Sequence, residues 1–86
     1  DTLKIDRLFV REIGFASKRA VVRAIVVMAS QLKLDIVAEG VERKEEIEAL
    51  SSIGCELMQG YYYGKPMERL DMEEWLKKHS QAGSAF

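Results

Sequence analysis

DIVAEGVERKEE, residues 35–46, joins a short apolar run to a helical pattern through two acids and a glycine. Ile36, Val37 and Ala38 have the character of a strand made for burial, and Glu39 ends that run abruptly. Gly40, Val41 and Glu42 follow, and from Lys44 to Ile53 apolar residues recur at helical spacing in Ile47, Leu50 and Ile53. Gly54 stands where a left-handed C-terminal cap belongs. The stretch is therefore one strand–helix unit with carboxylates at the strand's C-terminal end.

Similar units lie on either side. Upstream, Leu3 and Ile5 alternate with Lys4 and Asp6, the two-residue period of a strand. A connector, residues 7–17, has room for a turn of helix, and a helix is predicted over 18–33. Its apolar stripe is read at Val21, Ile25, Met28 and Leu32, widened by Val22, Val26 and Val27. So wide a stripe implies packing on more than one surface, such as a neighbouring helix or a second subunit. Downstream, residues 55–58 lead to Gln59, Gly60 and a tyrosine triplet, and after Pro66 a helix is predicted over 72–78. Asp71 and Glu74 have capping-box spacing there, and Lys77 and Lys78 suit that helix's C-terminal dipole. The tail, residues 80–86, is expected to be disordered, which leaves 1–79 as the folded part.

A strand–helix alternation repeated in this way implies parallel strands and an α/β fold, either an open doubly wound sheet or a slice of a (β/α) barrel. No glycine-rich phosphate fingerprint follows a strand, which argues against a nucleotide-binding open sheet. Eighty-six residues make one domain at most, and a chain opening on Asp1 directly before a strand reads as a piece of something longer. A net charge of -1 gives no electrostatic footprint for a nucleic-acid polymer. No apolar run is long enough for a membrane contact of the spanning kind. The single cysteine, Cys55, fits a reducing, cytoplasmic setting and is expected to be a buried thiol.

In parallel α/β folds the C-terminal ends of the strands share one face, and that face carries the chemistry. Here those ends bear Lys4 and Asp6, Glu39 and Glu42, and Gln59. Glu39 suits a hard divalent cation or a base towards water. Lys4 suits orienting a water or neutralising phosphate charge, and Gln59 suits holding a substrate. Plainer readings stand beside these. Lys4 with Asp6 would serve as an ion pair, and Glu42 would favour the positive end of the following helix. The tyrosines suit strand and interface packing. Arg19 and Arg23 suit a solvated edge, and His79 an exposed position at a helix end. For Glu39 burial would demand a partner or a metal, because an isolated buried carboxylate is costly.

At these residues the sequence resembles a known family. LKID at 3–6, VAEGVE at 37–42 and GCELMQGYYYGKPM at 54–67 resemble the C-terminal part of EAL domains, bacterial phosphodiesterases of cyclic di-GMP. The resemblance implies a (β/α)8 barrel of TIM type, of which this chain would be the last three strand–helix units. It implies hydrolysis of cyclic di-GMP to linear pGpG with Mg²⁺ or Mn²⁺, in second-messenger signalling. By the same resemblance Lys4 contacts the attacking water, and Glu39 is a metal ligand or acts on that water. Asp6, Glu42 and Gln59 are supporting or substrate-facing. The remaining metal ligands would lie upstream, so the segment alone is expected to be inactive and either to self-associate or to need the N-terminal part of its barrel. A degenerate domain that senses cyclic di-GMP, or binds a protein, is the alternative. One departure is Arg43, where the family commonly has threonine; loss of that cap would cost on the order of 1 kcal/mol and puts the helix start in question.

Overall fold

The computed structural model describes residues 1–60 and 65–79, and His79 by its backbone alone. The tyrosine triplet, the side chain of His79 and the tail from residue 80 lie outside the described residues. Strand β1 (Thr2–Ile5) is followed by a short helix α1 (Arg7–Arg11) and a long helix α2 (Ala16–Gln31). Then come β2 (Asp35–Val41), α3 (Lys44–Ser52), β3 (Leu57–Gly60), β4 (Met67–Glu68) and α4 (Arg69–His79). The described strands form one sheet in the order β1-β2-β3-β4. The first two pairings are parallel, as the strand–helix alternation requires, with Lys4 opposite Val37 and Val37 opposite Leu57. The two-residue β4 adds an antiparallel edge on β3 that the sequence pattern does not announce.

Side chains on the two faces of the sheet have different surroundings. Ile5, Ala38 and Met58 share a face and enter the core cluster with Val10, Val22, Val26, Ile47, Leu50 and Met72 from the helices. Lys4, Val37 and Leu57 take the other face by the two-residue period, and none of them belongs to that cluster. The helices therefore cover one face, and Lys4 projects from the opposite one.

Helix α2 buries a different stripe from the one read in the sequence. Val22, Val26 and Ala29 are buried, whereas Val21, Met28 and Leu32 are exposed and Ile25 is half-buried. The two stripes lie about 100° apart on the helix, and both are apolar, so periodicity alone does not choose between them. Packing does. Val26 reaches the turn after α3, where a Cβ built on Gly54 would meet Val26 Cγ1 at 3.5 Å. Helix α4 also begins earlier than predicted, at Arg69. Asp71 thus sits in the first turn instead of capping it, and Arg69 Nε pairs with Glu73 Oε2 at 3.0 Å. Arg19 does more than edge the surface: its guanidinium donates to the Ile13 and Gly14 carbonyls at 3.3 and 3.4 Å and ties down the α1–α2 connector. Cys55 is buried as expected, and desolvation pushes its thiol up to about 11.

Two helices end in the same hydrogen-bonded motif. After α3, Gly54 takes φ 95°, the Cys55 N–H donates to the Leu50 carbonyl at 2.9 Å and the Gly54 N–H to Ser51 at 3.1 Å. After α2, Leu34 donates to Ala29 at 2.9 Å and Lys33 to Ser30 at 3.2 Å, but the left-handed residue is Lys33, φ 58°. A side chain with a Cβ is disfavoured there by about 1 kcal/mol. Lys33→Gly is therefore expected to raise the unfolding midpoint by a few degrees in thermal denaturation; a lowered midpoint would show that Lys33 makes a stabilising contact of its own.

Candidate functional site

Glu39 lies at an irregularity in the sheet. Ala38 pairs with Met58 and Val41 with Gly60, so Glu39 and Gly40 together stand against Gln59 alone. This is a β-bulge, uncommon between parallel strands and often found where a side chain must be re-aimed beside a site. Gly40 makes it possible. Its φ is 74°, and a Cβ added there would collide with the Cβ of Arg7 at the start of α1. The bulge also changes the parity of the strand. Ala38 faces the helices, Glu39 faces away from them, and Val41 returns to the core.

A polar cluster lies on the face opposite the helices. Lys4 Nζ lies 3.7 Å from Glu39 Oε2, and their side chains are 61% and 36% exposed. That exposure corrects the expectation of a buried carboxylate: Glu39 meets water, and its partner is Lys4. An ion pair so exposed contributes at most about 1 kcal/mol to stability, so the fold does not depend on it. Gln59, half-buried, shares that face one strand away, by its register with the bulge.

The other two predicted residues are placed differently. Asp6 caps α1: its Oδ1 accepts from the Leu8 N–H at 2.8 Å, and its carbonyl accepts from Phe9 at 3.0 Å and Val10 at 3.3 Å. Glu42 follows β2 with an exposed side chain, and its backbone N–H donates to Glu46 Oε1 at 2.9 Å. Glu46 is the residue whose importance the sequence understated, since it is 1% exposed. Its Oε1 also accepts from the Arg43 N–H at 3.2 Å, and its Oε2 accepts from Arg43 Nε at 3.1 Å and Nη2 at 2.9 Å. This carboxylate holds the start of α3 where the sequence predicts it, despite the absence of a threonine cap at Arg43. Hydrogen bonding to Glu46, with its charge, raises the pKa of Arg43. The signal for Glu46 was its place three residues beyond Arg43, the reciprocal position of a capping box.

Among the described residues no group of three or more His, Cys, Asp and Glu side chains could enclose a metal ion. Glu39 can offer one carboxylate to a cation and no more; the residues here do not complete a coordination shell. Nor is any described helix long and apolar enough to cross a membrane.

Residues 1–66 match the EAL domain family. The chain belongs to that family. It is 41% identical over 81 residues to the cyclic di-GMP phosphodiesterase NbdA of Pseudomonas aeruginosa, a match covering 92% of this chain and 10% of the relative. Among solved structures it resembles Klebsiella pneumoniae BlrP1 in a manganese and cyclic di-GMP complex, with TM-score 0.70 and 37% identity over 80% of this chain and 18% of that one. It also resembles the EAL domain of Mycobacterium smegmatis DcpA, with TM-score 0.68 and 39% identity over 91% of this chain and 35% of that one. The chain spans about a tenth of the length of the curated relatives it matches. The α/β architecture is thus that of EAL-domain structures.

The site's construction gives a stability prediction. Gly40→Ala is expected to destabilise strongly, by roughly 2 kcal/mol or more, because it adds both backbone strain and a collision with α1. Lys4→Met is expected to stay within about 1 kcal/mol of wild type. Denaturant midpoints of the two variants check this contrast, and a Lys4→Met loss as large as that of Gly40→Ala would contradict it.

Proposed function

We propose that this chain is the last three strand–helix units of a (β/α)8 barrel in a divalent-metal-dependent cyclic di-GMP phosphodiesterase, in cytoplasmic second-messenger signalling. The observation that carries the reading is the Lys4–Glu39 pair, 3.7 Å apart beside a bulge at the strand ends, in a member of the EAL family. Stability does not account for such a pair, and a glycine-dependent irregularity directly follows one of its members. Relatives that are cyclic di-GMP phosphodiesterases, and structures of BlrP1 with cyclic di-GMP and manganese or calcium, support the substrate and the need for a cation.

The reaction adds water across one phosphodiester of the cyclic dinucleotide. The water oxygen bonds to phosphorus, the P–O3′ bond breaks, and the water's proton finally resides on the departing 3′ oxygen, giving linear pGpG. Lys4, a compact cation, orients the water through its lone pair and offsets charge growing on the phosphoryl oxygens. Glu39 orients the water from its other side and takes up its proton. Gln59, on the same face, donates to and accepts from substrate groups. Asp6 acts through α1, fixing the chain just beyond Lys4. Glu42, exposed past the bulge, has a supporting part at the rim of the site. In the complete domain Mg²⁺ or Mn²⁺, held in part by Glu39, would supply water acidification and charge neutralisation. The remaining ligands and the opposite wall belong to the rest of the barrel. The 86-residue segment by itself is therefore inactive and is held either by that part or by self-association through the open edge of β1.

The test is turnover of cyclic di-GMP by the full-length protein with Mg²⁺ or Mn²⁺ present. Glu39→Ala and Lys4→Ala are each expected to lower kcat by at least about 100-fold while the protein remains folded. Tight binding of cyclic di-GMP without turnover by the wild-type protein would overturn the enzymatic reading in favour of a sensor.

A further inference from the structure

We propose that Arg43 is a positioning residue, which clamps the short helix α1 across the end of β2 and thereby sets Lys4 against Glu39. This rests on the phosphodiesterase reading for its consequence and on the structure for its geometry.

Five residues are too few for a helix to hold itself together in water. Helix α1 is instead fixed at both ends. At its start, Asp6 caps it directly after β1, and Arg7 lies so close over Gly40 that no side chain fits between them. At its end, Arg43 Nη2 donates to the carbonyl of Arg11 at 3.1 Å. The same nitrogen donates to Glu46 Oε2 at 2.9 Å, and Glu46 Oε1 holds the backbone N–H groups of Glu42 and Arg43. A continuous path results. It runs from Lys4 through Asp6 and α1 to the Arg11 carbonyl, then through Arg43 and Glu46 to the backbone that follows Glu39.

The guanidinium fork is what this path needs. Two of its nitrogens engage one carboxylate oxygen, and one of those also reaches the neighbouring element. A lysine, with a single nitrogen on a flexible stem, does not reproduce that arrangement. Arg43 also lines an open cavity of about 500 Å³ with Arg11, Phe15 and Arg19, so shortening it admits water instead of leaving a sealed void. Threonine at this position would supply an N-cap acceptor for α3 while being too short to reach Arg11. Arg43→Thr therefore removes the clamp while leaving α3 a capping side chain.

The experiment compares wild type, Arg43→Thr and Arg43→Lys in the full-length protein, by amide hydrogen exchange and by steady-state turnover of cyclic di-GMP. In Arg43→Thr, exchange is expected to accelerate most across residues 9–13, with a smaller change at the start of α3, where Glu46 loses its guanidinium partner. At the same time kcat should fall roughly three- to tenfold with KM within about twofold, the pattern of misplaced reacting groups. Arg43→Lys should recover less than half of the lost rate. Unchanged exchange in residues 9–13 overturns the clamp. Faster exchange with unchanged kcat overturns its positioning role and leaves a purely structural one. If the wild-type protein shows no turnover at all, the phosphodiesterase reading fails, and the exchange pattern still decides whether Arg43 holds α1.

Discussion

Gly40 sits at φ 74° under the Arg7 side chain, and much of the site's arrangement follows from that backbone conformation. It lets β2 carry one residue more than β3 between Ala38 and Val41. Glu39 faces away from the helices by ordinary alternation after Ala38, and the extra residue returns Val41 to the core in place of the outward side it would otherwise take. It also allows α1 to cross the strand end at close range. A residue with a Cβ would have to give up the bulge or the approach of α1, and either change would move Glu39 relative to Lys4.

The charges divide into two kinds with different physical work. Glu46 is sealed from solvent and fully engaged by two backbone N–H groups and one guanidinium, the condition under which a buried carboxylate is tolerated. Lys4 and Glu39 stay wet and loosely paired, so little free energy binds them to each other. Such a pair can exchange its partner for a substrate phosphate, a water or a cation at small cost. Rigidity is supplied by the buried acid and adaptability by the exposed one, only seven residues apart in the chain.

How much of this the sequence disclosed follows from what each signal encodes. The strands at Leu3, Val37 and Leu57 were legible because parallel strands buried on one face are short apolar runs, and their ends were marked by Lys4, Glu39 and Gln59. The left-handed turn at Gly54 was legible because a glycine after a helical pattern has few other uses. The buried face of α2 was read too widely, since two apolar stripes compete on one helix and the one with Val22 and Val26 is buried, Val26 against the Gly54 turn. Glu39 was expected to be buried because residues before it are; alternation after Ala38 turns it to the face that the described helices do not cover, where it is partly exposed. The link from Arg43 to the Arg11 carbonyl spans 32 positions, and no local pattern reports a contact of that range. The two-residue β4 is likewise set by pairing with β3 and not by its own composition.

The proposed function requires Lys4 and Glu39 to meet a phosphodiester together on the face opposite the helices. A crystal structure of the intact domain with cyclic di-GMP, under conditions that prevent turnover, tests it most directly. Gly40 is expected to keep its positive φ there, the Lys4 ammonium and the Glu39 carboxylate both to point to the same phosphate, and Gln59 to lie beside them. A regular pairing of β2 with β3 through Glu39, or a bound phosphodiester out of reach of both Lys4 and Glu39, would contradict it.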